Sequence, residues 1–279
     1  SKSDFSFEAD FLGEHFQVQR LGADGNSKKA WELLRRQQAS ADAIGLGEVA
    51  DHCHVGTTTI VNRATKSLLN VVTRVPVTTG ATLRRLLQVH AVRHVQRELG
   101  HYFNNNLVLF LSGMRNYEIA VALSDYTKNL SFADPVFQAG SPLLLTSLAQ
   151  LELYAKGNEY VAGIKPWRML EKSFTGLKNM RVARAVRNAH VVVGSFDEIK
   201  AVGSPANLDG KTLITAAVDD EQLAFYKKCK VNLVIDVSPK LFEHVVGIDA
   251  LEAMILAKLG RPAEEIADED FAEIIAELG

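Results

Sequence analysis

The sequence predicts an α/β protein with a mostly parallel sheet in its C-terminal half and a smaller N-terminal α/β domain. Three observations carry that reading. From Asn106 onward, short apolar runs alternate with helical segments, the order that builds a parallel sheet covered by helices on both faces. Runs such as Val191-Val-Val193 are apolar throughout, as a strand buried on both sides must be. Before residue 80 the candidate strands and helices are shorter and mixed. A long helix separates the two patterns, so the expected division is 1–99 for an N-terminal substrate domain with its connecting helix, and 100–279 for the parallel sheet.

Composition narrows the function classes. The 279 residues are 47% hydrophobic and 23% charged, the profile of a globular chain. A net charge of -2 gives no general attraction to nucleic acid or anionic membrane. The longest apolar runs are strand-sized, far below the roughly 18 residues of a membrane span. Cys53 and Cys229 are too far apart in sequence for a disulfide framework or zinc knuckle, so a cytoplasmic location is the default expectation.

In chain order, Phe5 to Phe11 and Glu14 to Leu21 alternate as strands around Gly13, a hairpin. Ala23-Asp-Gly-Asn-Ser27 is a turn cluster, with Asn26 or Ser27 as the N-cap of the next helix. Ala43 to Leu46 reads as a short buried strand. Val55 to Val61, rich in threonine and β-branched residues, reads as another. Asn62 to Leu69 reads as helix, and Asn70 to Thr78 as strand with Pro76 near its end. Leu83, Leu87, Ala91, Val95 and Leu99 recur every four residues, and Gly100 follows. That spacing predicts a helix over 81–99.

The second half opens with Val108–Leu111 as strand, Ser112-Gly113 as turn and Tyr117–Asp125 as helix. Leu130–Ala133 is then a second strand, ending at Asp134. This is the order of parts in a Rossmann-like βαβ unit. Residues 135–163 read as a largely helical insertion. Lys178–Asn188 is a basic helix and His190–Val193 a strand. Leu213–Thr215 and Leu233–Val237 are strands, and Asp219–Lys228 and Asp249–Lys258 are helices. The acidic tail keeps an apolar stripe at Phe271, Ile274, Ile275 and Leu278, which predicts a docked amphipathic helix.

Ligands of an open parallel sheet bind outside the carboxyl ends of its strands. Those ends are Ser112-Gly113-Met114-Arg115, Asp134-Pro135, Gly194-Ser195-Phe196, Thr215-Ala216 and Ser238-Pro239. Gly113 would let a phosphate approach backbone N–H groups, with Arg115 supplying a cation. The further glycines of a dinucleotide fingerprint are replaced by Arg115 and Glu118. Asp134 stands where a carboxylate accepts from ribose hydroxyls, and an acid there favours NAD over NADP. It could instead cap the next segment. Lys200 and Asp197 could hold and deprotonate a substrate hydroxyl, although a pair three apart on a helix is commonly a solvated ion pair.

Metal sites are not expected. His90 and His94 share a helical face but have no third ligand in sight. His52 and His54 would share one face of a strand, with Cys53 on the other.

Several stretches together resemble the quinate/shikimate 5-dehydrogenase-related family. They are Gln19 to Gly25, Asp42 to Gly47, Val75-Pro-Val77 with Gly80, the strand–turn–helix from Leu107, Asn188 to Gly194, Ile199-Lys200, Leu208 to Thr215 and Gly247 to Ala253. The resemblance implies a two-part α/β protein with a Rossmann-like C-terminal half. It also implies an NAD(P)-dependent dehydrogenase acting on a small hydroxylated acid. The family pattern suggests an acid and a lysine after the Val75-Pro-Val77 strand, where this chain has Thr79 and Arg84. Arginine stays protonated and cannot trade a proton near neutral pH, but its two-pronged guanidinium suits a substrate carboxylate. The alternative expectation is a non-catalytic nucleotide- or metabolite-binding protein, or a subunit of an assembly, on the same scaffold. A small-molecule ligand is the expected partner, with neither nucleic acid nor membrane, and a homo-oligomer is compatible with the sequence.

Overall fold

The computed structural model describes residues 4–47, 49, 53–60, 63–141, 143–162, 177–238, 247–261 and 265–278. Its elements begin with β1 (Phe5–Phe11), β2 (Glu14–Arg20), α1 (Ser27–Gln37), β3 (Ile44–Gly45), β4 (Cys53–Val55), β5 (Thr58–Ile60), α2 (Arg63–Leu69), β6 (Val77–Thr78) and α3 (Ala81–Glu98). They continue with β7 (Val108–Phe110), α4 (Tyr117–Ser124), β8 (Leu130–Phe132), α5 (Asp134–Ala139), α6 (Leu148–Ala162), α7 (Leu177–Asn188), β9 (Val191–Val193), α8 (Phe196–Val202) and α9 (Pro205–Leu208). The last are β10 (Thr212–Thr215), α10 (Asp220–Lys228), β11 (Leu233–Asp236), α11 (Ile248–Leu259) and α12 (Asp268–Leu278).

The chain divides into two compact units. The first takes residues 1–52, 61–87 and 239–279, and the second takes 53–60 and 88–238. The sequence expectation assigned residues 239–279 to the second domain. In the structure α11 instead packs on β3 and β6, in the unit built by the N-terminal segment.

In the first unit β1 and β2 pair antiparallel, from Phe5 opposite Arg20 to Phe11 opposite Glu14. Leu12 and Gly13 turn the hairpin with φ of 51° and 76°, the left-handed pair that matches strand twist. Asn26 caps α1, its side chain accepting from Lys28 N and Lys29 N, which removes two of the unpaired donors of a helix start. β3 and β6 pair in parallel, Ile44 with Val77 and Gly45 with Thr78. Phe11, Leu83, Leu251, Met254, Ile255, Leu256 and Phe271 form the main core. Burying each such side chain contributes about 1.5–3 kcal/mol, and α11 supplies four of those residues.

The strand expected over Asn70 to Thr78 is reduced to its last two residues. β3 offers only Ile44 and Gly45 as partners. Upstream, the Gln38 amide takes over, accepting from Thr73 N at 3.0 Å and donating to Val71 O at 3.4 Å.

The second unit is built on a five-stranded parallel sheet in the order β11-β10-β9-β7-β8. Its strand residues alternate between two cores, as the two-residue period of a strand requires. Val108, Phe110, Val191, Val193, Ile214 and Ile235 face one side, with Val92 of α3, Ile119 and Leu123 of α4 and Leu151 of α6. Leu109, Val192 and Leu213 face the other, with Val136 of α5, Val182 and Val186 of α7, Ile199 of α8 and Tyr226 of α10. The apolar runs therefore mark strands covered on both faces. The single strand expected over Val55 to Val61 instead turns back on itself: β4 and β5 pair antiparallel, Val55 with Thr58, and Val61 lies outside the described residues. Gly56, at φ 58°, opens the two-residue turn that a side chain would strain.

Among the described residues no helix is long and apolar enough to cross a membrane.

Candidate functional site

The parallel register puts Ser112 to Arg115, Asp134, Gly194, Thr215 and Ser238 at the carboxyl ends of the five strands. β8 lies on one side of β7 and β9 on the other, so the chain reverses its winding there. Such a point is where open α/β sheets place ligands.

The turn after β7 is filled from within. Asp134 is 1% exposed. Its carboxylate accepts from Gly113 N at 2.8 Å and from Met114 N at 3.0 Å. A side chain on Gly113 would meet Phe132 Cδ1 at 2.4 Å, Asp134 Oδ2 at 2.9 Å and Leu151 Cδ2 at 3.2 Å. Glycine is required at 113 by those neighbours. Burial pushes the Asp134 carboxyl up to about 6, against the pull of the two N–H groups, and the nearby Glu198 charge adds to the rise. Ser112 and Met114 are buried and Arg115 is exposed; Ser112 O accepts from the Asn116 side chain at 2.8 Å.

The neighbouring turns follow the same pattern. Beyond β9, Glu198 Oε2 accepts from Ser195 N at 2.8 Å, closing a capping box with the Ser195 hydroxyl. Gly194 sits beneath it, with Leu111 and Glu198 within 3.2 Å of any added Cβ. Between β10 and β11, Asp236 accepts from Ala217 N and Val218 N at 3.0 Å and from Ser238 N at 2.9 Å. Ala217 also donates to Ser238 Oγ at 2.9 Å. Its left-handed φ of 55° is unfavourable for alanine, and Asp236 and Ser238 both hold it there. Thr215 is buried at the end of β10. Pro239 lies outside the described residues.

Lys200 and Asp197 stand exposed on α8. Lys200 Nζ lies 5.2 Å from the centre of the Phe196 ring, a cation–π contact. Asp197 occupies the first helical turn, where a negative charge complements the helix dipole.

The first unit gathers a second set of chemistry-bearing residues. The carboxyl ends of β3 and β6 lead to Leu46-Gly47 and Thr79-Gly80, and α3 starts directly after Gly80. Glu252 of α11 reaches this start while only 1% exposed. Glu252 Oε1 accepts from Thr78 Oγ1 at 2.5 Å and Oε2 from Leu83 N at 2.7 Å. Gly80 N in turn donates to Thr78 Oγ1 at 2.9 Å. Thr79 is buried, and its carbonyl accepts from Arg84 Nη2 at 3.4 Å.

Asp249 stands one turn before Glu252, at the start of α11, and three chain segments close on it. A Cβ on Gly45 would lie 2.6 Å from Asp249 O and one on Gly80 2.6 Å from Asp249 N. Gly47 and Gly247 crowd its carboxylate, with would-be Cβ distances of 3.0 Å and 2.3 Å. Burial raises the Asp249 carboxyl above the ordinary aspartate range, while the charges of Arg84 and Arg20 oppose the rise. Burial raises Glu252 likewise, opposed by its bonds to Thr78 and Leu83. A partly exposed acid with guanidinium groups beside it can bind a ligand carrying both a carboxylate and a hydroxyl.

The structure thus places Arg84 and Thr79 in one cluster, and adds Asp249 and Glu252, which motif reasoning did not single out. The available signal was two acids three apart in the first half of a largely apolar helix, opened by Gly247. His90 and His94 stack at 6.0 Å on α3. His54 Nδ1 lies 3.1 Å from Thr59 Oγ1, and His52 lies outside the described residues.

Residues 82–279 match the family model described as Domain of unknown function (DUF8754). Residues 1–79 match the one described as Domain of unknown function (DUF8753). No curated protein and no solved structure matches the chain.

Proposed function

We propose that this chain, which belongs to the Domain of unknown function (DUF8754) family, is a metabolite-binding protein whose ligand is a small hydroxylated acid held in the first unit. The observation that carries the reading is that Arg84 bonds the Thr79 carbonyl while the adjacent Gly80 packs against Asp249, at the carboxyl ends of the parallel pair β3–β6. Arg84 would take the ligand carboxylate through paired N–H groups. Asp249 would accept from a ligand hydroxyl. Glu252, bonded to Thr78 and Leu83, fixes the turn that carries Arg84.

Titration of the full chain with quinate and shikimate, followed by calorimetry and thermal shift, tests this. At ligand 100 times Kd the protein should gain roughly 2.7 kcal/mol of stability. Arg84→Ala should weaken binding by at least about tenfold, and Arg84→Lys should restore little, since lysine lacks the fork. No saturable binding of either acid would remove the reading.

Oxidoreductase chemistry on the same acid, with NAD or NADP as the hydride carrier, is the second reading. The raised Asp249 carboxyl favours it, because a group displaced toward neutrality can exchange a proton with a hydroxyl. Turnover with NAD or NADP and either acid would establish it; binding without turnover would favour the first.

A further inference from the structure

The five-stranded sheet carries three carboxylates along its carboxyl rim, and each is bonded to backbone N–H groups. Asp134 holds Gly113 and Met114 after β7. Glu198 holds Ser195 after β9. Asp236 holds Ala217, Val218 and Ser238 at the ends of β10 and β11. In nucleotide-binding α/β sheets these turns offer their N–H groups to phosphate oxygens. We infer that in this chain internal carboxylates stand in the place of phosphates, so that the rim selects against phosphate-bearing ligands and seats no dinucleotide on its turns.

Geometry and charge agree. A pyrophosphate at this turn would compete for the Gly113 and Met114 N–H groups that the Asp134 carboxylate already holds. It would also have to displace a carboxylate that is 1% exposed, and so strip a buried anion of its two donors. Arg115 brings one positive charge to the same turn, against the three carboxylates. Like charges repel a phosphate more strongly where the local dielectric is low. The glycine at 113, which suggests ligand approach in the sequence, is accounted for by packing.

The inference does not rest on the Arg84 site, which a quinate titration reads separately. Its test is amide hydrogen exchange of the full chain, alone and with NADH, NADPH or pyrophosphate at roughly millimolar concentration. Gly113, Met114, Ala217 and Val218 should be protected without ligand and unchanged with it. Saturable binding that alters protection at Gly113 and Met114 would overturn the inference; binding that leaves them unchanged supports it, since the phosphates then sit elsewhere. Asp134→Asn removes the charge and keeps one acceptor, and in the folded variant pyrophosphate affinity should rise at least about tenfold. An unchanged affinity would show that the carboxylate is not what keeps phosphate out. Should that variant fail to fold, the exchange experiment on the unmodified chain decides alone.

Discussion

Thr78 Oγ1 donates to Glu252 Oε1 at 2.5 Å across 174 positions of sequence, and the same carboxylate receives Leu83 N at 2.7 Å. A buried acid from the C-terminal segment therefore completes the start of α3. Glu252→Ala would leave a hydroxyl and an amide buried without an acceptor. The expected loss is about 3 kcal/mol or more. Glu252→Gln keeps an acceptor and sheds the cost of a buried charge, so it should stay within roughly 1 kcal/mol of the parent. Urea denaturation of the two variants checks this, and a loss under about 1 kcal/mol for alanine would contradict it.

Asp134 should leave a pH signature. Its folded-state pKa is raised to about 6 from 3.8, so the fold favours the protonated form. The stability it contributes is present below the unfolded value and is lost as pH rises through about 6. A shift of about two units corresponds to roughly 3 kcal/mol. The stability difference between the parent and Asp134→Asn should thus change by that order between about pH 4 and pH 7, the parent gaining at the acid end. A flat difference would sink the assignment.

Two glycines with similar backbones should respond differently to alanine. Gly80 (φ +74°) would place a Cβ 2.6 Å from Asp249 N, whereas Gly210 (φ +70°) has nothing within 4 Å. Both substitutions cost about 1–2 kcal/mol for the left-handed backbone. Gly80→Ala adds a collision with main chain, so its loss should exceed about 3 kcal/mol. Equal melting temperatures for the two variants would argue against close contact between the α3 start and α11.

Gln38 substitutes for a strand partner at Thr73 and Val71. Gln38→Ala should cost roughly 1–2 kcal/mol. It should also speed exchange at the Thr73 amide well before global unfolding. Unchanged exchange there would show that solvent, and not Gln38, satisfies this segment.

The parallel sheet was legible because Val191-Val-Val193 and Val108-Leu-Phe110 are apolar at every position, as two-sided burial requires. The strand ends followed directly, and with them the rim bearing Gly113, Asp134 and Gly194. The direction in which Asp134 points was not legible. An acid after a second strand reads alike whether it faces a ribose or folds back on Gly113 N, and the choice depends on Phe132 and Leu151 closing the space. Arg84 stood out in the sequence, and the structure sets it on the Thr79 carbonyl. Asp249 and Glu252 read only as residues of a helix, because their partners Gly45, Thr78 and Leu83 lie far away in sequence. The β4–β5 hairpin was hidden by its composition, since Gly56 breaks a run whose threonines favour strand throughout.

The route of the chain sets an order of assembly. Leu83 is made early, yet the carboxylate that completes its helix start arrives 169 positions later. The sheet unit, closed by residue 238, is finished on the ribosome before its neighbour can be. Until α11 emerges, β3, β6 and the start of α3 lack their cover, and Phe11 and Leu83 lack Leu251, Met254 and Ile255. A nascent or truncated chain ending near Leu87 should therefore stay unfolded and be open to proteases. The N-terminal unit is a late product of synthesis, and damage to the C-terminal helices would be felt first at the opposite end of the sequence.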